Sequence, residues 1–361
     1  MKQQCDQLLR HVAVICLLLL SSLAAQPQSV VIHHIDVGQG DATFIVARDG
    51  AGNISRTVLI DGGLKRCGQT IINYLTGTLH ITHINAVIAS HYDNDHVGGL
   101  AVILTNAVGI VIDSVFDRGD ILFPHPAKGA AYRTAAIAYG NRRATLIPGK
   151  SLVLFYDNTG GTHTIQLSCL CVNGSVYNPN GNFNAVSTIA NPDENDLSTG
   201  FLLTYGKFRY LTCGDIGGKH GQQAGTCAGT YGCNFADLET NVIGQSGPVS
   251  AYKINHHGSR CSTNAAWVSG AKAAVAIISS GRNGTYKHPR PEVIALLQTD
   301  PDMQAYYMTS EQDYYQRLGN KGVLNNPHQP AIDLSVQKET NHVDITTTCN
   351  FSVGAQVYTI N

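Results

Sequence analysis

The chain has almost no net charge. Twenty-four lysines and arginines stand against 25 acidic residues, which leaves −1 over 361 residues. The overall positive charge that would point to a nucleic-acid partner is lacking, although a neutral total does not exclude a local basic rim. Long apolar runs are lacking too. Val12 to Leu20 is too short to span a bilayer comfortably, and nothing resembling a membrane channel follows it. Cys-x-x-Cys spacing is absent, which argues against a cysteine-held zinc. No internal repeat stands out.

What is present begins at the N-terminus. Lys2, Arg10 and His11 precede the short apolar stretch, and Ser21-Ser22-Leu23-Ala24-Ala25 follows it. This pattern predicts a signal peptide over residues 1–25, hence a secreted or periplasmic protein, with an uncleaved anchor as the alternative. Neither Cys5 nor Cys16 sits where a lipid-anchoring cysteine belongs. Eight cysteines remain after residue 25, an even number that suggests disulfides in an exported chain. Cys227 and Cys233, six apart in a Gly-rich segment, are the expected local pair. Apolar residues make up 43% of the chain, enough for a sizeable core in one large domain or two small ones.

One stretch concentrates the chemistry. Ser90-His91-Tyr92-Asp93-Asn94-Asp95-His96-Val97-Gly98-Gly99-Leu100 follows the apolar run Ala86 to Ala89, which reads as a buried strand. Four metal-ligating side chains lie within six residues. Gly98 and Gly99 suggest a sharp turn, with a helix starting near Leu100. A plain capping turn is the simpler reading. Four such ligands at this spacing favour a metal site at the C-terminal end of a strand, where open α/β folds place their chemistry.

Along the rest of the chain, strands and helices interleave. Val30 to Asp36, Ala42 to Ala47 and Thr57 to Asp61 read as strands, and Ala130 to Tyr139 suits a helix. Thr199 to Tyr205 and Lys207 to Thr212 form a hairpin turning at Gly206. Pro291 to Leu297 reads as a helix with proline at its start. Hairpins in each half suit two packed sheets with helices outside, an α/β (α+β) arrangement, better than one parallel sheet. Two further strand ends carry ligand types: Asp215 after the hairpin, and His256-His257 after Ser250 to Ile254. Imidazoles and carboxylates from three strand ends are what a two-metal centre needs, one carboxylate bridging the ions.

These stretches resemble the metallo-β-lactamase superfamily, and within it the secreted hydrolase domain of the ComEC-type DNA-uptake proteins. The resemblance rests on Ile35-Asp36-Val37-Gly38-Gln39-Gly40-Asp41-Ala42, Leu59-Ile60-Asp61-Gly62-Gly63, the Ser90 to Gly99 loop and Asn195-Asp196-Leu197-Ser198. Leu211-Thr212-Cys213-Gly214-Asp215, Lys253-Ile254-Asn255-His256-His257-Gly258-Ser259 and Asn283-Gly284-Thr285-Tyr286-Lys287-His288-Pro289 complete it. It implies a four-layer αββα sandwich, with a hydrolase domain over 26–310 and a β-rich extension over 311–361 packed on it. It implies His91, Asp93, Asp95, His96, Asp215 and His256 as metal ligands, with Asp215 bridging and Asp95 also orienting the attacking oxygen. His257 is either the ligand in place of His256 or an acid on the substrate side, since neighbours on an extended segment point opposite ways. His288 would protonate a leaving oxygen or hold a phosphate. Asp61 and Asn195 would stand behind the ligands, Asp61 fixing an imidazole.

The departures shape the expected activity. Asp93 stands where the superfamily's loop has a second histidine, and Asn195 where many members have another. One metal subsite is therefore richer in oxygen, which favours Mn²⁺ over a second tight Zn²⁺; one or two divalent ions fit. The expected function is hydrolysis of phosphodiesters, with extracellular DNA as the expected substrate. Hydrolysis of a small ester, lactone or amide is the alternative, and a non-catalytic binding module the third reading. No membrane span is expected after the signal, and the sequence points to no particular protein partner. Asp36 and Asp41 read as turn formers, and His33 and His34 as strand residues without a role. Lys253, Arg260, Arg282, Lys287 and Arg290 form a candidate phosphate-binding rim, scattered surface charge being the alternative.

Overall fold

The computed structural model describes residues 28–106, 109–121, 127–156, 164–184, 186, 192–218, 233, 235–281 and 283–310. Beyond these it describes the backbone of 323–324, 331–337, 342–347 and 356–359. The signal-peptide segment, Cys227 and Arg282 lie outside these residues.

The first half runs β1 (Ser29–Ile35), β2 (Thr43–Arg48), β3 (Ile54–Ile60), α1 (Gly68–Asn73), β4 (His83–Ile88), α2 (Asn94–Asn106), β5 (Val111–Asp117), α3 (Ala130–Ile137) and β6 (Arg143–Thr145). The second half opens with β7 (Ser151–Phe155), β8 (Ile165–Val172), β9 (Ser175–Val176), β10 (Phe183–Asn184), β11 (Gly200–Tyr205) and β12 (Phe208–Cys213). It continues with α4 (Leu238–Ser246), β13 (Ala251–Lys253), α5 (Ala265–Ala271), β14 (Val275–Ile278), α6 (Pro291–Thr299) and β15 (Ala305–Met308). Four more strands follow: β16 (Val323–Leu324), β17 (Ala331–Gln337), β18 (His342–Thr347) and β19 (Gln356–Thr359).

Two sheets result. The first has the order β19-β18-β17-β1-β2-β3-β4-β5-β6, the second β10-β9-β8-β11-β12-β13-β14-β15-β16, with β7 on β8. β17 pairs antiparallel with β1, so late strands extend the sheet that the first strand opens. Each sheet is antiparallel on one side and parallel on the other; β3 to β6 and β12 to β16 run parallel.

Alternation along the strands makes the layers. In β2, Ile45 and Ala47 face the second sheet, while Phe44 and Val46 face the helices. The space between the sheets holds Val30, Ile32, Val58, Ile60 and Ile88 against Leu167, Phe201, Leu203, Tyr210, Ile277 and Tyr307. Outside the first sheet, Ile71, Val97, Leu100 and Tyr132 cover Leu59 and Val87. Outside the second, Leu238, Val242, Trp267, Val293 and Leu297 cover Leu211, Tyr252 and Ile278. The order is helices, sheet, sheet, helices: an αββα sandwich. Among the described residues, no helix is long and apolar enough to cross a membrane.

Three local expectations are corrected. Helix α2 starts at Asn94, so Asp95 and His96 lie in its first turn, and Gly98 and Gly99 are helical. The glycines serve a close approach to the 62–65 segment: a Cβ on Gly99 would lie 1.9 Å from the Gly62 carbonyl oxygen, and one on Gly98 2.5 Å from the Lys65 nitrogen. Cys233 pairs with Cys261 across 28 residues, which excludes a Cys227–Cys233 bond. Cys67, Cys169, Cys171 and Cys213 are buried free thiols, so the cysteine parity did not translate into general pairing. Helices α4 and α5, which the sequence pattern did not reveal, are 9 and 7 residues long. Each starts at a side-chain cap, Asp237 accepting from the Thr240 N–H and Asn264 from the Trp267 N–H.

Candidate metal centre

Loops at the C-terminal ends of β1, β3 and β4 in one sheet and of β12, β13 and β14 in the other meet at one end of the sandwich. Strand β4 delivers Ser90 and His91, and helix α2 turns Asp95 and His96 back toward Asp215. Asp215 follows β12 by two residues. Its backbone N–H donates to Ser198 Oγ at 3.0 Å, which anchors it beside the hairpin.

The core of the cluster is close-set. His96 Nε2 lies 3.2 Å from Asp215 Oδ1 and 3.2 Å from His257 Nε2. His257 Nε2 lies 3.4 Å from Asp215 Oδ2 and 3.5 Å from Asp95 Oδ2. Asp41, His96, Asp215 and His257 each offer a ligand atom within 4.8 Å of the others. Four ligands in a tetrahedron of about 2.0–2.1 Å bonds lie about 3.3 Å apart, so this spacing suits a divalent ion.

The tautomers agree. His96 Nδ1 donates to Asp61 Oδ2 at 2.8 Å, and His257 Nδ1 donates to the Ser279 carbonyl at 2.8 Å. A neutral imidazole that donates through Nδ1 presents a lone pair at Nε2. The two Nε2 atoms therefore face each other as acceptors, an arrangement that needs a cation or a proton between them. His91 adds a third nitrogen. Its Nδ1 lies 3.0 Å from Ser90 Oγ, while its buried Nε2 has no hydrogen-bond partner and lies 3.9 Å from both Asp93 Oδ2 and Asp215 Oδ2. The residues present fit a cation.

Without an ion the cluster manages its own charge. Burial would raise the Asp215 carboxyl, yet His257, His96 and His256 hold it well below the carboxylate range. Burial would lower His257, but Asp215 and Asp41 push it up to about 10. Burial also opposes the charged form of His96, while Asp215 and Asp61 raise it well above the ordinary value. Burial, with His96 beside it, pushes His91 down to about 3.

Asp61 links three groups. Its Oδ1 accepts from the Ser90 N–H at 2.8 Å, and its Oδ2 from Ser90 Oγ at 2.6 Å and from His96. It does so from a left-handed backbone with φ 61°. Asp93, at the other edge, meets Lys128 Nζ at 2.7 Å. Asn195 is buried in a short 3-10 turn (Asn195–Leu197), and its side-chain oxygen has no hydrogen-bond partner. Its neighbour Glu194 grips the ligand loop: Oε1 accepts from the Tyr92 N–H at 2.8 Å, and Arg118 pairs with both carboxylate oxygens at 2.7 and 2.8 Å.

The late histidines depart from expectation. His256 and His257 are not extended; both lie in the left-handed region, at φ 47° and 56°. The curl brings both rings to Asp215, His256 Nε2 at 3.6 Å and His257 Nε2 at 3.4 Å, whereas alternation on a strand would have turned one away. His257 alone also reaches His96 and Asp95. His288 is buried, stacks on His257 at 6.2 Å and meets His256 edge-on at 5.5 Å. Burial, then His256 and His257, push it down to about 2. Exposed Tyr286 stacks on it at 5.7 Å.

Two residues gain a different place from the one the sequence suggested. Lys253 is 2% exposed, and its Nζ donates to Asp41 Oδ2 at 2.7 Å, so it belongs to no surface rim. Asp41 is more than a turn former: its N–H donates to the Asp95 carbonyl at 3.1 Å, and its carboxylate holds the buried lysine beneath the centre. The signal for this pair was an apolar strand carrying a lysine, Ala251-Tyr252-Lys253, which demands a buried counter-charge. Arg260 and Arg290 lie near Glu292, at 4.0 and 3.8 Å.

No family model matches the chain. Among curated proteins it is 24% identical over 334 residues to ComE operon protein 3 of Bacillus subtilis (strain 168), covering 85% of this chain and 35% of that protein. It is 25% identical over 267 residues to Recombination protein 2 of Haemophilus influenzae, covering 73% of this chain and 26% of that protein. The chain thus spans about a third or less of the curated relatives it matches. Among solved structures, the metallo-beta-lactamase fold protein YhfI from Bacillus subtilis is similar, with a TM-score of 0.42, 11% identity, and coverage of 85% of this chain and 99% of that one. With its αββα layers and its candidate ligand loops gathered at the strand ends, the chain has the layer order of the metallo-β-lactamase sandwich and resembles the ComEC-type proteins it matches.

Proposed function

We propose that the protein is an exported, metal-dependent phosphodiesterase, with DNA as a substrate. The observation that carries this reading is the convergence of Asp41, His96, Asp215 and His257 within 4.8 Å of one another, with Asp95 3.5 Å from His257 and Asp93 adding oxygen on the His91 side. The ComEC-type resemblance supplies the phosphodiester class. An oxygen-rich ligand set favours Mn²⁺, and the imidazoles accept Zn²⁺. The disulfide between Cys233 and Cys261 supports an oxidising compartment. The hydrolase unit spans 26–310 in this reading, with 311–361 as its extension.

Bound here, a divalent ion supplies Lewis acidity, lowering the pKa of a water and polarising a phosphoryl oxygen. His91, Asp93, Asp95, His96, Asp215 and one of His256 and His257 would hold the metal, and the closer approach of His257 to His96 and Asp95 favours it. Asp61 and the Ser279 carbonyl fix the ligand imidazoles, so little reorganisation is needed during reaction. Asp95 is 29% exposed while Asp215 is 5% exposed, so Asp95 is the acid with access to an attacking water. His288, buried and held neutral beside His256 and His257, would serve as a hydrogen-bond donor to a phosphate oxygen rather than as the acid for a leaving oxygen.

Purified protein supplied with Mn²⁺ or Zn²⁺ should nick plasmid DNA and cleave bis(p-nitrophenyl) phosphate, and Asp215→Ala should abolish both. Intact DNA and intact phosphodiester alongside cleaved lactones or β-lactams would overturn the reading.

A further inference from the structure

The centre has two unequal halves. His96 and His257 lie 3.2 and 3.4 Å from Asp215, with Asp95 3.5 Å from His257. His91 stands further out, 3.9 Å from both Asp215 and Asp93, and at Asp93 the protein brings a cation of its own. Lys128 Nζ lies 2.7 Å from Asp93 Oδ1, with the lysine one-third exposed and the aspartate one-fifth exposed.

The fold delivers this lysine to that place. The next residue, Gly129, has φ +62°, and a Cβ on it would lie 2.8 Å from Tyr92 Cβ and 2.9 Å from the Tyr92 carbonyl oxygen. Only glycine lets the chain descend onto the ligand loop at the residue between His91 and Asp93. Two independent features therefore meet at Asp93: a forced backbone contact and a short ion pair. The ammonium takes Asp93 Oδ1, while Oδ2 faces His91 Nε2 at 3.9 Å, so an ion on Oδ2 would share the carboxylate with a second cation and be repelled by it.

We propose that Lys128 competes with a divalent ion for the charge of Asp93, so that an ion beside His91 and Asp93 is held weakly and a single ion is held tightly among His96, Asp215 and His257, with Asp41 and Asp95 beside them. The inference rests on the metal reading above and is independent of the substrate. Lys128 is a positioning residue in this scheme: it sets how many ions the centre holds.

The test is titration of the metal-free full chain with Mn²⁺ by calorimetry, with metal content measured after gel filtration. Wild-type protein should retain one ion, with any second ion bound more weakly by about fivefold or more, the strength of a partly exposed ion pair. Lys128→Met should tighten the second site about fivefold, and Lys128→Arg, which keeps the charge, should behave as wild type. Asp93→Asn should remove the second ion and keep the first, a check that does not depend on how Lys128→Met folds. Two ions held equally by wild type, or a second site unmoved in Lys128→Met, would overturn the lysine's role and leave the metal reading standing. No tight ion in wild type would overturn the metal reading itself.

Discussion

The Nε2 atoms of His96 and His257 face each other across 3.2 Å, while their Nδ1 atoms donate to Asp61 and to the Ser279 carbonyl. The arrangement is stable only with positive charge at its centre. An ion held there would link metal to folding, because an ion that binds the native centre and not the unfolded chain stabilises the fold. Chelation should lower the melting temperature, and added Mn²⁺ or Zn²⁺ should restore it. A shift of about 2.7 kcal/mol is expected at an ion concentration one-hundredfold above the dissociation constant. An unchanged melting curve across chelator and metal would count against the centre.

Asp61 orients the His96 ring and ties down Ser90 from one left-handed residue. Asp61→Ala should weaken metal binding by roughly ten- to hundredfold, the usual effect of removing a carboxylate behind a ligand histidine. Asp61→Asn tolerates the same backbone and keeps hydrogen-bonding capacity, so its loss should be smaller. Metal titration of the two variants measures the difference. Equal affinities in both variants and wild type would show that the Asp61–His96 contact does not matter to the ion.

Helix α2 rests on the 62–65 segment through bare backbone. Gly99→Ala places a Cβ 1.9 Å from the Gly62 carbonyl oxygen and should cost more than about 2 kcal/mol, because neither backbone can yield without moving Asp61 or His96. Gly77→Ala is the control: nothing lies within 4 Å of its Cβ, and the change should be neutral or stabilising by up to about 1 kcal/mol. Urea unfolding separates the two. Similar midpoints would contradict the close-packed helix.

His34 makes the fold acid-sensitive. It is buried in β1, 3.2 Å from Tyr210 Oη, and burial pushes it down to about 3, with Lys253 adding to the shift. An unfolded histidine titrates near about 6.5, so the unfolded chain binds a proton that the native protein refuses. Stability from this group is present above about pH 6.5 and is lost as pH falls from there toward 3. The loss should reach a few kcal/mol, on the order of 1.4 kcal/mol per unit of pH across the window. His34→Gln should flatten the fall in melting temperature between pH 6.5 and pH 4. An equally steep fall in the variant would place the acid sensitivity elsewhere.

Much of this protein is legible in one dimension. The continuous apolar run Phe44 to Ala47 announces a strand buried on both faces, and the run from His91 to His96 names a candidate metal chemistry, since both signals are local and need no partner. The ComEC-like stretches added the layer order. Local signals also misled. Gly98 and Gly99 read as a turn because glycine's tolerance of turns is a property of the residue, whereas the reason for them here is the Gly62 backbone, more than thirty residues earlier. Consecutive His256 and His257 read as alternating, but two left-handed residues curl both rings inward, and a sequence pattern carries no sign of φ. Cys233 looked six residues away for a partner and found one 28 residues on. The sequence by itself determined the candidate ligands His91 to His96, Asp215 and His256-His257 and their place at strand ends, and it missed Asp41, whose turn-like surroundings hid its place beside them. Only the tertiary structure decided which oxygen faces which nitrogen, that Lys253 lies under the centre on Asp41, and that Lys128 stands at Asp93. Those facts depend on backbones packed to within a carbon–carbon contact, and residues far apart in the chain set such distances jointly.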